Sequence, residues 1–143
     1  MLAVASLWCP RLFLKLLQQF RLADRTDIDL CFNTNLTLMP KPILSELGQF
    51  KQVYVGVSVD GYSDSYDLIR FPGRWERVSK NLDCLMSETN FDVGVHFTAS
   101  ALNLDGLFDL IDHLNQKTYS RRLLFNIYLV EEPEEQSFKV LNE

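Results

Sequence analysis

Hydrophobic and polar residues alternate in four stretches of the chain, as they do in β-strands that bury one face. The stretches are Ile28 to Asn35, Val53 to Asp60, Asp92 to Thr98 and Leu123 to Val130. Because side chains two residues apart share a face of a strand, each stretch has an aliphatic face and a more polar face. The pattern therefore predicts four strands.

Stripes of apolar residues at helical spacing separate these strands. Proline stands near the first helical position of the first two stripes, and Asn103 is a candidate N-cap for the last. The alternation predicts an α/β fold whose parallel strands are joined by right-handed crossovers, in a single domain over residues 1–143. The stripes are Phe13, Leu16, Leu17 and Phe20; Ile43, Leu44 and Leu47; Trp75, Val78, Leu82 and Leu85; and Leu104, Leu107, Phe108, Ile111 and Leu114.

The polar strand faces indicate a ligand site. Strands that are covered on both faces have nearly continuous runs of apolar residues, whereas the four predicted strands alternate apolar and polar residues. We expect their polar faces to line one hollow at the C-terminal strand ends, where ligands bind in α/β folds. Alternatively, the polar groups satisfy one another in a closed core. Gly56 and Gly94 either leave room for a ligand or allow tight packing between strands. The polar side chains at the strand ends are Asn33, Asn35, Ser58, Asp60, His96 and Thr98.

Composition narrows the classes of partner. The chain has 143 residues, 47% of them hydrophobic, which is typical of a globular domain. With 14 Lys+Arg against 19 Asp+Glu, the net charge is 14 − 19 = −5, and no Lys/Arg block offers a footprint for nucleic acid or anionic lipid. The acidic run Glu131, Glu132, Glu134 and Glu135 is predicted to be a solvated turn without a function of its own.

Cysteine usage and hydropathy predict a cytoplasmic protein. Cys9, Cys31 and Cys84 are an odd number and lie too far apart for a C-x2-C pair, which favours a reducing compartment. The apolar opening from Met1 to Trp8 lacks the basic start of a signal peptide, and no run approaches the ~18 apolar residues of a membrane span.

Several short motifs, taken in order, resemble the middle of a radical SAM domain. The resemblance extends from about Leu12 to Val130 and is greatest to the branch whose members often carry twitch or SPASM extensions. The motifs are Asn33-Thr34-Asn35-Leu36-Thr37, Val57-Ser58-Val59-Asp60-Gly61, Ile69-Arg70-Phe71-Pro72-Gly73, then Trp75, Val78 and Asn81, and later Phe97-Thr98 and Asn103.

The resemblance implies part of a TIM-like (β/α)6 barrel, with about four parallel strands and flanking helices. In that family S-adenosylmethionine lies across the C-terminal strand ends and a [4Fe-4S] cluster cleaves it reductively. By similarity, Ser58 and Asp60 face the ribose or methionyl group, and Arg70 is a partner for the carboxylate, which a guanidinium binds bidentately. The remaining cofactor-binding candidates are Asn35 at the rim, with His96 and Thr98 where the later strands approach the nucleoside.

The residues alone leave other interpretations open. Asp60-Gly61 is also typical of a turn after a strand, and Arg70 has Asp64 or Asp67 as alternative partners. His96 fits a satisfied core or rim histidine as well as a ligand-facing one.

The chain departs from the family at the cluster. Family members bind it with a C-x3-C-x2-C loop, because three thiolates leave one iron open. Neither that loop nor the Gly-Gly-Glu segment expected ahead of Trp8 to Phe20 is present. We therefore expect the chain to be an N-terminally truncated segment of a radical SAM enzyme, and we predict no catalytic or metal-binding residue in it. We expect the segment to be inactive alone and to self-associate through exposed barrel edges.

Two other functions fit the pattern less well. One is a cluster-less nucleoside- or peptide-binding scaffold module that acts through a partner. The other is a phosphate-binding α/β barrel, which the lack of a glycine-rich loop disfavours. The substrate, a peptide or a small molecule, is not identified by the sequence.

Overall fold

A computed structural model describes residues 2–4, 9–137 and 140, with side chains from residue 9 onward. This part of the chain forms five strands and five α-helices. The strands are β1 (Leu2–Val4), β2 (Asp29–Thr34), β3 (Gln52–Ser58), β4 (Asp92–Ala99) and β5 (Leu124–Leu129). The helices are α1 (Pro10–Leu22), α2 (Lys41–Leu47), α3 (Ser63–Ile69), α4 (Trp75–Glu88) and α5 (Leu104–Asn115), followed by a 3-10 turn at Glu134–Gln136.

The strands form one sheet in chain order, β1-β2-β3-β4-β5, and every neighbouring pair is parallel. Right-handed crossovers that always step to the next strand in the same direction place all their helices on one face of the sheet. In the described part of the chain, the other face carries no crossover helix. The α/β class and the parallel strands are confirmed, and the order is compatible with part of a β/α barrel.

The hydrophobic core lies between the sheet and its helices. Strand β3 shows the reason, because Val53, Val55 and Val57 are at most 3% exposed, whereas Tyr54 and Ser58 on the opposite face are half-buried. Strand β4 repeats this alternation, with Val93, Val95 and Phe97 at 1% or less. The helical stripes cover these residues with Phe13, Leu17, Ile43, Leu47, Val78, Leu82, Leu85, Leu107 and Leu110.

Two elements were not predicted. Strand β1 has three residues, too few to show an alternating pattern. Helix α3 follows the turn signal Asp60-Gly61 and presents one buried residue, Tyr66, so it has no apolar stripe. The prediction for the opening from Met1 to Trp8 rests mostly on residues outside the described ones. Among the described helices, none combines the length and the apolar character that crossing a bilayer would need.

Asn103 occupies the N-cap position of α5, as predicted, but its side chain does not cap the helix. Its Oδ1 instead accepts the backbone N–H of Ser100 at 2.7 Å, and its Nδ2 donates to the carbonyls of Asp60 and Thr98. The predicted N-cap position is therefore confirmed, while the side chain bonds the neighbouring loops and not the helix. Asn103 connects the two loops that follow β3 and β4.

Candidate functional site

The face of the sheet opposite the helices, here called the open face, carries the polar side chains of the strands. Register places Ser58 directly opposite His96, and His96 opposite Asn126. Strand β2 contributes Cys31 and Asn33, opposite Tyr54 and Gly56. The open face consists of Cys31, Asn33, Tyr54, Gly56, Ser58, Gly94, His96, Thr98, Leu124, Asn126 and Tyr128.

The two glycines of the open face lie under protein side chains. A Cβ atom on Gly56 would collide with Asn33 Oδ1 and lie 2.7 Å from His96 Cε1. A Cβ atom on Gly94 would collide with the hydroxyl of Tyr54. Of the two interpretations of these glycines, the structure favours tight packing, because neighbouring side chains fill the space above them.

His96 belongs to an aromatic layer across the middle of the open face. Its Nε2 lies 3.0 Å from the hydroxyl of Tyr54, and its ring packs edge-on against Tyr128 with centroids 5.5 Å apart. Burial lowers the pKa of His96 and raises the pKa of Tyr54, so both are neutral at pH 7. His96 is thus a hydrogen-bonded rim histidine whose Nε2 already has a partner.

Asp60 forms a junction at the ends of β3 and β4. Its Oδ1 accepts the backbone N–H of Thr98 at 3.0 Å and its Oδ2 accepts Nη2 of Arg70. The side chain is 11% exposed and that of Arg70 is 34% exposed. Both carboxylate oxygens have protein partners, so Asp60 orients Arg70 at the strand ends.

The alternative partners of Arg70 are excluded by this pair. Asp67 accepts the backbone N–H of Trp75 at 2.6 Å and Nη1 of Arg74 at 2.9 Å. These interactions, the Trp75 hydrogen bond foremost, lower the pKa of Asp67. Arg70 is therefore held by Asp60, and Asp64 is exposed in the first turn of α3.

Two hydroxyls beside this junction have no partner among the described residues. Within the described part of the chain, the hydroxyls of Ser58 and Thr98 make no hydrogen bond, and neither residue is buried. Ser58 lies opposite His96, and Thr98 follows on the same face of β4. Open hydroxyls next to an oriented guanidinium are groups that an incoming polar ligand would engage.

Asn35 lies at the start of the loop between β2 and α2, and hydrogen bonds among residues of this loop determine its conformation. Its Oδ1 accepts the backbone N–H and the hydroxyl of Thr37, and Thr34 Oγ1 accepts the N–H of Leu36. These local turns hold Leu36 at φ 54, a left-handed conformation that a leucine rarely adopts. Asn81 fixes the loop to α4 by donating to the carbonyl of Leu36 at 2.8 Å.

The six predicted site residues all lie at the C-terminal ends of β2, β3 and β4 or on the segment that follows β3. Asn35 and Arg70 also line a cleft of about 560 Å³ beside the open face. Two further residues of this region were not predicted to act in the site. Asn103 connects the segments that follow β3 and β4, and its position as a polar residue shortly after β4 was the available signal. Arg77 is a cation that lines the same cleft.

The cysteines do not fit a [4Fe-4S] cluster. Cys9 is exposed at the start of α1, Cys31 is on β2 and Cys84 is on α4. Three thiolates of one cluster have to converge on it. Across residues 9–137, no group of three His, Cys, Asp or Glu side chains is arranged to hold a metal ion.

Comparison of this chain with models of protein families, with curated proteins and with solved structures finds no match.

Proposed function

We propose that this chain supplies the S-adenosylmethionine-binding strand ends of a radical SAM barrel. The observation that carries the proposal is the pair of unpartnered hydroxyls, Ser58 and Thr98, beside an arginine that Asp60 holds in place. The motif series around Asn35, Ser58 and Arg70 supports the same assignment by resemblance.

The polar groups of S-adenosylmethionine match these residues in kind. Ser58 binds the ribose or methionyl group, and the N–H groups of Arg70 that Asp60 does not use bind the carboxylate. The half-exposed ring of Tyr128 offers a surface on which the purine stacks, an interaction that a π-face gives to any base. Asn35 closes the rim, and the Tyr54–His96 pair lies beneath the nucleoside.

The cluster that cleaves the cofactor in this family would be held by cysteines outside these residues. The sulfonium cofactor supplies the radical when it is cleaved, and the proposal gives this chain binding and orientation only. Its side chains hold the nucleotide, and no bond-breaking step is assigned to them.

Isothermal titration of the chain with S-adenosylmethionine, anaerobically and without added iron, tests the proposal. We expect saturable binding with one molecule per chain. Ser58→Ala together with Thr98→Val should weaken binding by roughly tenfold or more, because each hydrogen bond to the ligand is worth about 1 kcal/mol. Ser120→Ala, a change of the same kind at an exposed serine away from the open face, should leave binding unchanged. The absence of binding, or equal affinity of the double variant, would contradict the proposal.

A cluster-less binding module is the second candidate function. The observation that favours it is the distribution of the three cysteines over three elements. Supplying iron, sulfide and dithionite and measuring 5′-deoxyadenosine separates the two candidates for the parent protein. A parent protein that contains this chain, binds S-adenosylmethionine and forms no 5′-deoxyadenosine would be a binding module.

A further inference from the structure

We infer that a groove between α4 and the β2–α2 loop binds an extended acidic peptide segment. This groove, here called the basic groove, has a volume of about 540 Å³. Arg77 and Lys80 line it from α4, Arg74 from the N-cap of that helix, and Leu38 and Met39 from the loop. It lies outside the residues assigned to S-adenosylmethionine, and the inference goes beyond the proposed function.

The charge of the groove contrasts with that of the chain. The net charge is −5, yet Arg77 and Lys80 are exposed and make no ion pair or side-chain hydrogen bond among the described residues. Arg74 is paired with Asp67, and Glu76 is the acidic residue of the lining. Two cations left without carboxylates on an acidic protein are available to an anionic partner.

The spacing of the cations suits an extended chain. Arg77 and Lys80 are three residues apart on α4, so they lie on adjacent turns with Cβ atoms about 5–6 Å apart. Alternate side chains of an extended peptide are about 6–7 Å apart on one face. A peptide with carboxylates at alternate positions therefore meets both cations at once.

The length and lining of the groove favour a peptide over a small anion. The basic groove continues into the cleft of about 560 Å³ through Thr37, Leu38, Arg74 and Arg77, which line both. The exposed side chains of Leu38 and Phe71, at 57% and 78%, add apolar surface along this path. A small anion would fill only one point of this path, whereas the cations follow one another along α4 and the apolar side chains of Leu38 and Phe71 lie beside them.

Fluorescence polarisation tests the inference, with a short fluorescein-labelled peptide in which glutamate alternates with leucine and no S-adenosylmethionine present. The full chain should bind this peptide and not its glutamine counterpart, with affinity that falls as salt rises. Arg77→Ala with Lys80→Ala should weaken binding by about tenfold or more. Arg11→Ala with Lys15→Ala removes the same charge from exposed positions on α1 and should have no such effect.

Three results would overturn the inference. One is equal binding of the glutamine peptide, and another is unchanged affinity of the Arg77/Lys80 double variant. The third is full competition by inorganic phosphate at the concentration of the peptide, which would identify a small-anion site. Lys80→Ala alone, which changes the basic groove and leaves the lining of the neighbouring cleft intact, should weaken peptide binding and still bind S-adenosylmethionine, so failure here and failure of the proposed function are distinguishable.

Discussion

Asp60 illustrates how a single residue can position another at the end of a strand. Its two oxygens accept hydrogen bonds from Arg70 and from the backbone of Thr98. Together with Asn103, it fixes the ends of β3 and β4 relative to each other. The geometry of the Ser58 and Thr98 hydroxyls therefore depends on Asp60.

Replacing Asp60 with asparagine should destabilise the fold. Asp60→Asn removes the negative charge that is paired with Arg70. Because Asp60 is mostly buried and Arg70 is one-third exposed, we expect this ion pair to contribute about 2 kcal/mol to the free energy of unfolding after allowance for solvent screening. Urea unfolding measures the change. Asp109→Asn, at an exposed position of α5, is the matched control and should change stability by less than about 0.5 kcal/mol. Equal effects of the two changes would refute a role for the junction.

Gly94 lies beneath the Tyr54 side chain, so its replacement should disturb the aromatic layer. Gly94→Ala forces the Tyr54 hydroxyl away from His96 and should cost about 1–3 kcal/mol, as overpacking does. Gly48→Ala is the control, because a Cβ atom there meets only Leu44 and Ser45 carbonyl oxygens at 3.5 and 3.6 Å. Thermal unfolding compares the two variants; a Gly94→Ala protein as stable as Gly48→Ala would show that the layer rearranges freely.

At the scale of elements, His113 connects α5 to α3 and α4. Its ring packs against Tyr62 at 5.2 Å and Trp75 at 5.6 Å between centroids, and its Nε2 lies 3.4 Å from the hydroxyl of Ser79. Burial is the main cause that lowers the pKa of His113, with Lys117 acting in the same direction and Asp83 against it. The interface of the three helices thus favours the neutral imidazole.

Stability should fall as His113 becomes protonated. The pKa of His113 in the folded protein lies below its unfolded value of about 6.5. The unfolded chain therefore binds the proton more readily than the folded one. The contribution of neutral His113 to stability is fully present above about pH 6.5 and is lost as the pH falls through the folded pKa. His113→Gln should flatten the decline in stability on acidification below about pH 6.5. Urea unfolding of both proteins over that range measures it, and the carboxylates common to both cancel. An unchanged slope would contradict the assignment.

The elements that could be predicted are those with a clear period. Strands β2, β3 and β4 and helices α1, α2, α4 and α5 have buried faces that repeat along the sequence. Strand β5 has the same alternation in sequence but lies at the edge of the sheet, where none of its residues is buried. Helix α3 has only Tyr66 buried, so its docking is decided by tertiary contacts that no local pattern records. Tertiary contacts also decide the hydrogen bonding within the site. The sequence places Asp60 and Ser58 on one polar face, but it does not show that Asp60 is paired with Arg70 while the hydroxyl of Ser58 remains open to a ligand.

At the scale of the whole molecule, the sheet is covered on one face and ends in two edges, β1 and β5. Strand β5 exposes Ile127 and Leu129, at 48% and 64%, on the helix side of the sheet. Unpaired strand edges and exposed apolar side chains promote association, so we expect the mass measured by sedimentation to rise with concentration. A mass equal to one chain at every concentration would refute this.

Binding of S-adenosylmethionine by the open face at the strand ends is the property on which the proposed function depends. Two-dimensional ¹H–¹⁵N NMR of the labelled chain during titration with this cofactor tests it most directly, because each amide reports its own surroundings. We expect saturable shifts concentrated at Asn35, at Ser58 to Asp60 and at His96 to Thr98, with the amides of α1 and α2 unmoved. A spectrum without shifts, or shifts confined to the helical side, would contradict it.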